Sequence, residues 1–132
     1  MQVKIDTKEK FAVVTPMPPE LSAIIAAEIA ETCNLQLQKE TKNVVLNLQH
    51  VSNLASDASE ALLGLQQQFY DANASFVICC LQDSVESALE KAELLELLNI
   101  TPTESEAWDI VQMEEIEREL LDGDDMEFDK NA

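Results

Sequence analysis

At 132 residues, with 46% hydrophobic content and only two glycines and four prolines, the chain suits one packed domain and argues against a loop-rich or disordered body. Its net charge of −18 repels phosphate backbones and anionic bilayers, so neither nucleic acid nor membrane is an expected partner; the charge suits a basic protein partner or serves solubility alone. No apolar run approaches the ~18 residues of a membrane span.

The opening MQVKIDTKEKF has no apolar segment behind a basic start, so a signal peptide is not expected and the cytoplasm is the expected location. Gln2–Asp6 alternates, with Val3 and Ile5 on one side. Thr7–Lys10 is a polar break, and Phe11–Thr15 is a second apolar run. Together they predict an antiparallel hairpin. Pro16, Pro18 and Pro19 then stop the strand. Glu20–Gln38 reads as a helix, with Leu21, Ile25, Ile29, Cys33 and Leu37 recurring every four residues and Ile24 beside them.

After a polar Lys39–Lys42 turn, Asn43–Leu48 is β-rich. Ala58–Asp71 carries Leu62, Leu65 and Phe69 at helical spacing. Ala74–Leu81 is nearly all apolar, as in a strand covered on both faces. Ser84–Leu98 is helical with a break near Glu93, and Ile100–Thr103 is a brief edge strand. Thr103–Leu121 is the last helix, opened by a Thr103/Glu106 capping box. The order predicts an α/β fold: a mixed, mainly parallel sheet of four or five strands covered by about four helices, most of them on one face. The domain spans 1–121, and 122–132 reads as a disordered acidic tail.

Charge is uneven. Residues 1–113 hold 17 acids and 6 bases, a net −11, while 114–132 hold 9 acids and 2 bases, a net −7. Along the last helix Ile110, Met113, Ile116 and Leu120 keep a three-to-four spacing among Glu114, Glu115, Glu117 and Glu119. That stripe either packs on the domain's own sheet or docks a partner or second copy.

Candidate chemistry is sparse. Cys33, Cys79 and Cys80 lack disulfide or zinc spacing and read as reduced, buried thiols. His50 is the one histidine and reads as a solvent-facing loop residue. Ser52 and Ser56 lie near it, but no G-x-S-x-G elbow accompanies them. Gly64 and Gly123 are too far apart to build a phosphate loop. No enzyme activity, metal or cofactor is therefore expected. The junction Ser56-Asp57-Ala58-Ser59, between a strand and a helix, is the most informative stretch. Ser56 or Asp57 is a candidate N-cap, with Glu60 completing a box. A hydroxyl there is also accessible, and a phosphate on it would change the local charge by nearly −2.

Three segments together resemble STAS domains, whose best-known members are bacterial anti-sigma factor antagonists. ELSAIIAAEI (Glu20–Ile29) is similar to the family's G-E-L-D-x-x-x-A-x-x-L, with Ser22 in the Asp place. VVLNLQHVSNLASDASEALLGL (Val44–Leu65) is similar to V-x-L-D-L-S-x-V-x-x-I-D-S-S-G-L. ITPTESEAWDIV (Ile100–Val111) resembles the closing strand and helix. The resemblance implies a non-enzymatic regulatory module that binds an anti-sigma factor or related kinase-like protein. It also implies that Ser56 matches the serine phosphorylated by that partner. Asn53, Ala55, Ser56, Asp57 and Ser59 would then form the contact surface. The chain departs from the pattern: Ala55 replaces the family Asp, Asp57 the second Ser, Ala58 the Gly and Ser59 the Leu. A constitutive binder, a small-ligand or nucleotide sensor, a self-assembling scaffold and a homodimer remain open alternatives.

Overall fold

A computed structural model describes residues 2–40 and 42–131, with side chains through Leu120. Strands β1 (Val3–Thr7) and β2 (Phe11–Pro16) form the antiparallel hairpin, in register from Val3 opposite Pro16 to Thr7 opposite Ala12. From β2 inward the ladder is parallel, through β4 (Asn43–Asn47), β6 (Phe76–Cys79) and β7 (Ile100–Thr101). The sheet order is β1-β2-β4-β6-β7. Helices α1 (Ala23–Gln36), α2 (Ser56–Asp71) and α3 (Asp83–Lys91) cover one face, and α4 (Glu104–Asn131) covers the other. This is the expected α/β architecture. The 122–132 segment expected to form an acidic tail lies outside the residues whose side chains are described.

Alternation explains the layering. On β4, Val44 and Leu46 enter the larger core with Ile29, Leu62, Phe69 and Phe76, while Val45 faces α4 with Val13, Val77, Ala107 and Val111. Successive residues point to opposite faces, so a strand buried on both reads as a continuous apolar run. Phe69 and Phe76 meet at 5.3 Å in one core, and Phe11 stacks on Trp108 at 5.1 Å in the other.

Several local expectations are corrected. α1 begins later than Glu20, because Glu20–Leu21 is a short strand, β3, and Ser22 caps the helix by accepting from the Ile25 amide at 3.3 Å. Its buried line is Ala26, Ile29, Cys33 and Gln36, whereas Ile24 is 75% exposed. The third helix stops at Lys91, and Glu93 takes φ 62° where the break was expected. Thr103 does cap α4, its hydroxyl accepting from the Glu106 amide at 3.2 Å.

Both asparagines of β4 face α4 and fasten it. Asn47 Nδ2 donates to Glu104 at 3.0 Å. Asn43 Nδ2 donates to Glu115 at 2.6 Å and to the Lys10 carbonyl at 2.9 Å, while its Oδ1 accepts the buried Ser75 amide at 2.8 Å. Arg118 adds bonds to Ser75 Oγ and Asn43 Oδ1 at 3.2 and 3.4 Å. Asn43→Ala strands the Ser75 amide and frees the Glu115 carboxylate, so it should lower unfolding stability by about 2–3 kcal/mol in urea titrations.

Cys33 and Cys79 are buried and Cys80 is half-buried, all as free thiols. Burial pushes the Cys33 thiol up to about 12 from 9.0. Cys79 is raised as well, first by burial and then by its bond to Cys80 and the charges of Cys80 and Glu104. The unfolded chain therefore releases these protons before the folded one. Stability should fall as pH climbs from about 9 toward 12, read from urea midpoints. At mildly alkaline pH a thiol reagent should modify Cys80 rapidly and reach Cys33 and Cys79 only on unfolding.

Candidate functional site: the strand-to-helix junction at 49–60

The junction starts where β4 and β6 end. The Leu48 amide donates to the Cys79 carbonyl at 3.1 Å, and the Val51 amide closes a turn onto the Leu48 carbonyl at 3.0 Å. Asn47 Oδ1 accepts the Gln49 amide at 2.9 Å. The chain then forms β5 (Asn53–Leu54), which pairs in parallel with β3, Glu20 opposite Asn53 and Leu21 opposite Leu54. The Pro19 carbonyl accepts the amides of Ser52 and Asn53 at 2.8 and 3.1 Å, and the Leu21 carbonyl accepts that of Ala55 at 3.0 Å. Leu21, Val51 and Leu54 sink into the core beneath.

A second grip comes from the start of α3. Ser84 Oγ donates to the Ser52 carbonyl at 2.6 Å, and Gln82 Nε2 donates to the Gln49 carbonyl at 2.8 Å. Cys80 turns the chain from β6 toward this contact in the left-handed region, at φ 63°. That conformation costs a non-glycine residue on the order of 1–2 kcal/mol. Its amide is held by the Thr101 carbonyl at 3.3 Å.

Two capping expectations fail here. Ala55, not Ser56 or Asp57, occupies the N-cap of α2, with φ −73° and ψ 149°, and no side chain caps the helix. Ser56 and Asp57 are already helical, so the Asp57/Glu60 box has no cap residue to complete it. In α3, Gln82 is at the N-cap and Asp83 in the first turn. Asp57 still favours α2 through the helix dipole, being an acid in its first turn.

Of the five expected contact residues, Asn53, Ser56 and Asp57 are exposed and Ala55 is half-buried. Ser59 is not available: it is 2% exposed, and its hydroxyl donates to the Ala55 carbonyl at 3.2 Å. The i, i+3 geometry of a helix turns position 59 inward beside Ala58 and Leu62. His50 faces solvent, its ring 3.3 Å from Gln49 Nε2. The segments 20–23, 49–60 and 82–86 together carry Glu20, Asp57, Glu60, Asp83 and Glu86 and no Lys or Arg. The surface is thus acidic around one free hydroxyl.

Among the described residues no group of three His, Cys, Asp or Glu side chains is placed to hold a metal, and no helix is long and apolar enough to cross a membrane. Two cavities lie toward the opposite end of β4. One of about 510 Å³ is lined by Lys10, Lys42, Asn43 and Arg118. The other, about 780 Å³, is lined by Gln66, Tyr70, Phe76, Asn99 and Glu117.

The STAS domain family model matches residues 2–107. The chain belongs to the STAS domain family. Solved structures of similar fold include a putative anti-sigma factor antagonist from Thermotoga maritima, with TM-score 0.69 and 20% identity, covering 83% of this chain and 94% of that one. An anti-sigma factor antagonist from Mycobacterium paratuberculosis gives TM-score 0.72 and 14% identity over 84% and 93%. The Bacillus cell fate determinant SpoIIAA in its phosphorylated form gives 0.61 and 14% over 83% and 99%.

In this STAS domain the family Asp position, Ala55, is the N-cap itself. The departure therefore removes a carboxylate that could accept the free amides of the first turn. The residues that hold the loop, Pro19, Leu21, Gln82 and Ser84, were not singled out as site residues. Three of the bonds concerned use the carbonyls of Pro19 and Leu21, which no side-chain pattern marks. Ala55→Asp should restore a cap and raise unfolding stability by about 1 kcal/mol, seen as a higher thermal midpoint with the same circular dichroism spectrum.

Proposed function

We propose that this STAS domain is a non-enzymatic regulator of the bacterial cytoplasm that binds an anti-sigma factor or related kinase-like protein through the 53–57 rim. Ser56 is its switch. The observation that carries this reading is the exposure of Ser56 in the first turn of α2, on a loop held by β3 and α3. A loop that is already ordered binds without a large ordering cost. The acidic rim suits a partner surface bearing Lys or Arg.

A phosphate on Ser56 would add about two charges beside Asp57. The helix dipole favours that charge, while Asp57 and Glu60 oppose it. Against a complementary basic partner, the added bulk at the centre of the contact is the disruptive element. Asn53 supplies a polar side chain at the edge, and Asp57 sets the resting charge. Ser59 acts only as part of the helix.

Ser56→Ala should bind the partner as wild type does, and Ser56→Trp, which adds bulk without charge, should weaken capture at least about tenfold, a change of roughly 1.4 kcal/mol. Equal capture by both variants removes the switch. The rival reading is a small-ligand sensor using the 780 Å³ groove beside Tyr70. Saturable thermal stabilisation by a nucleotide or lipid, abolished by Tyr70→Ala, would favour that reading instead.

A further inference from the structure

Helix α4 is apolar on two sides. Ala107 and Val111 face the sheet, and Trp108 lies against it. On the far side, roughly half a turn of the helix away from Val111, Met113, Ile116 and Leu120 are 59%, 54% and 57% exposed. Their three-then-four spacing is that of a coiled-coil seam, with Glu117 and Glu119 in the positions that flank it. The helix continues to Asn131, whereas the family match ends at residue 107. The stripe thus lies wholly beyond the part that the family model matches.

Charge decides the occupant. From Glu104 to Leu120 the helix carries seven acids and a single base, Arg118. Arg118 is turned inward to Ser75 and Asn43. Glu115 is likewise spent on Asn43 and Lys10. Glu106, Asp109, Glu117 and Glu119 remain exposed around the stripe. Two copies of α4 packed along this seam would set Glu117 and Glu119 among like charges in either orientation, which opposes self-association. We propose that the outward face of α4 at Met113–Leu120 docks a basic amphipathic helix of another protein, its apolar residues meeting Met113, Ile116 and Leu120 and its Lys or Arg residues meeting Glu117 and Glu119.

The test uses the full chain and a labelled synthetic helix of about three heptads, with Leu at the seam and Lys at the flanking positions. Its controls are a scrambled peptide of identical composition and a version with Glu at the flanks. Fluorescence anisotropy should give saturable one-to-one binding at least about tenfold tighter than to either control. Ile116→Glu combined with Leu120→Glu should reduce affinity to the scrambled level without changing the melting midpoint. Ser56→Trp should leave it unchanged, which separates this surface from the 53–57 rim. Equal binding of the scrambled peptide would mean bulk charge attraction alone and overturn the proposal. So would insensitivity to the double substitution, absence of binding, or sedimentation of the wild type as a dimer that the double variant makes monomeric.

Discussion

The structure depends on one strand being buried on both faces. β4 lies at the middle of the sheet, and its Val44, Val45 and Leu46 are each removed from water. A strand in that position has no polar face to spare, so both sides must be covered, and the backbone groups at its edges must pair with β2 and β6. Helices α1 to α3 cover one side. Only α4 covers the other, which makes its attachment critical. Asn43 and Asn47 supply that attachment at the two ends of the strand, where polar atoms can be buried because each finds a partner.

The same strand sets the place of the candidate site. Where β4 ends the chain must turn away over the sheet, and it emerges in the 49–55 segment with its backbone amides unpaired by the main ladder. The amides of Ser52, Asn53 and Ala55 go to the carbonyls of Pro19 and Leu21. The two-stranded β3–β5 element is too short to fold alone. It exists because Leu21 and Leu54 share the core below it. The consequence for the proposed function is a loop already ordered by β3 and α3. Its one awkward feature, an uncapped α2, follows from Ala55.

The two surfaces differ in kind. The 53–57 rim is small, polar and backed by rigid elements from three parts of the chain. The outer face of α4 is apolar, flanked by carboxylates, and lies outside the segment matched by the family. Both are acidic, and both are therefore complementary to basic proteins. In the proposed roles, separate surfaces of like sign would let one chain engage one partner at two points, or two partners together.

Element order and type were legible in the residues because they rest on local periodicity. The alternating hairpin, the apolar β6 and the spacing of Leu62, Leu65 and Phe69 each carry their own signal. The STAS motifs placed Ser56 at a strand-to-helix turn. What needed tertiary structure was anything set by a distant neighbour. Glu20–Leu21 is a strand because Asn53–Leu54 lies beside it, although its local pattern continues the helix. Ile24 is exposed because it stands about 200° around α1 from Ala26, opposite the buried line of Ala26, Ile29, Cys33 and Gln36. Ser59 is sealed because it borders the buried stripe of Ala58, Leu62, Leu65 and Phe69, whereas Ser56, in the first turn, stands about 60° further around the helix from that stripe. Composition and periodicity determined which elements form. Which of their polar atoms remain available to a partner was decided only by packing, because burial is a property of the assembled layers and not of any one segment.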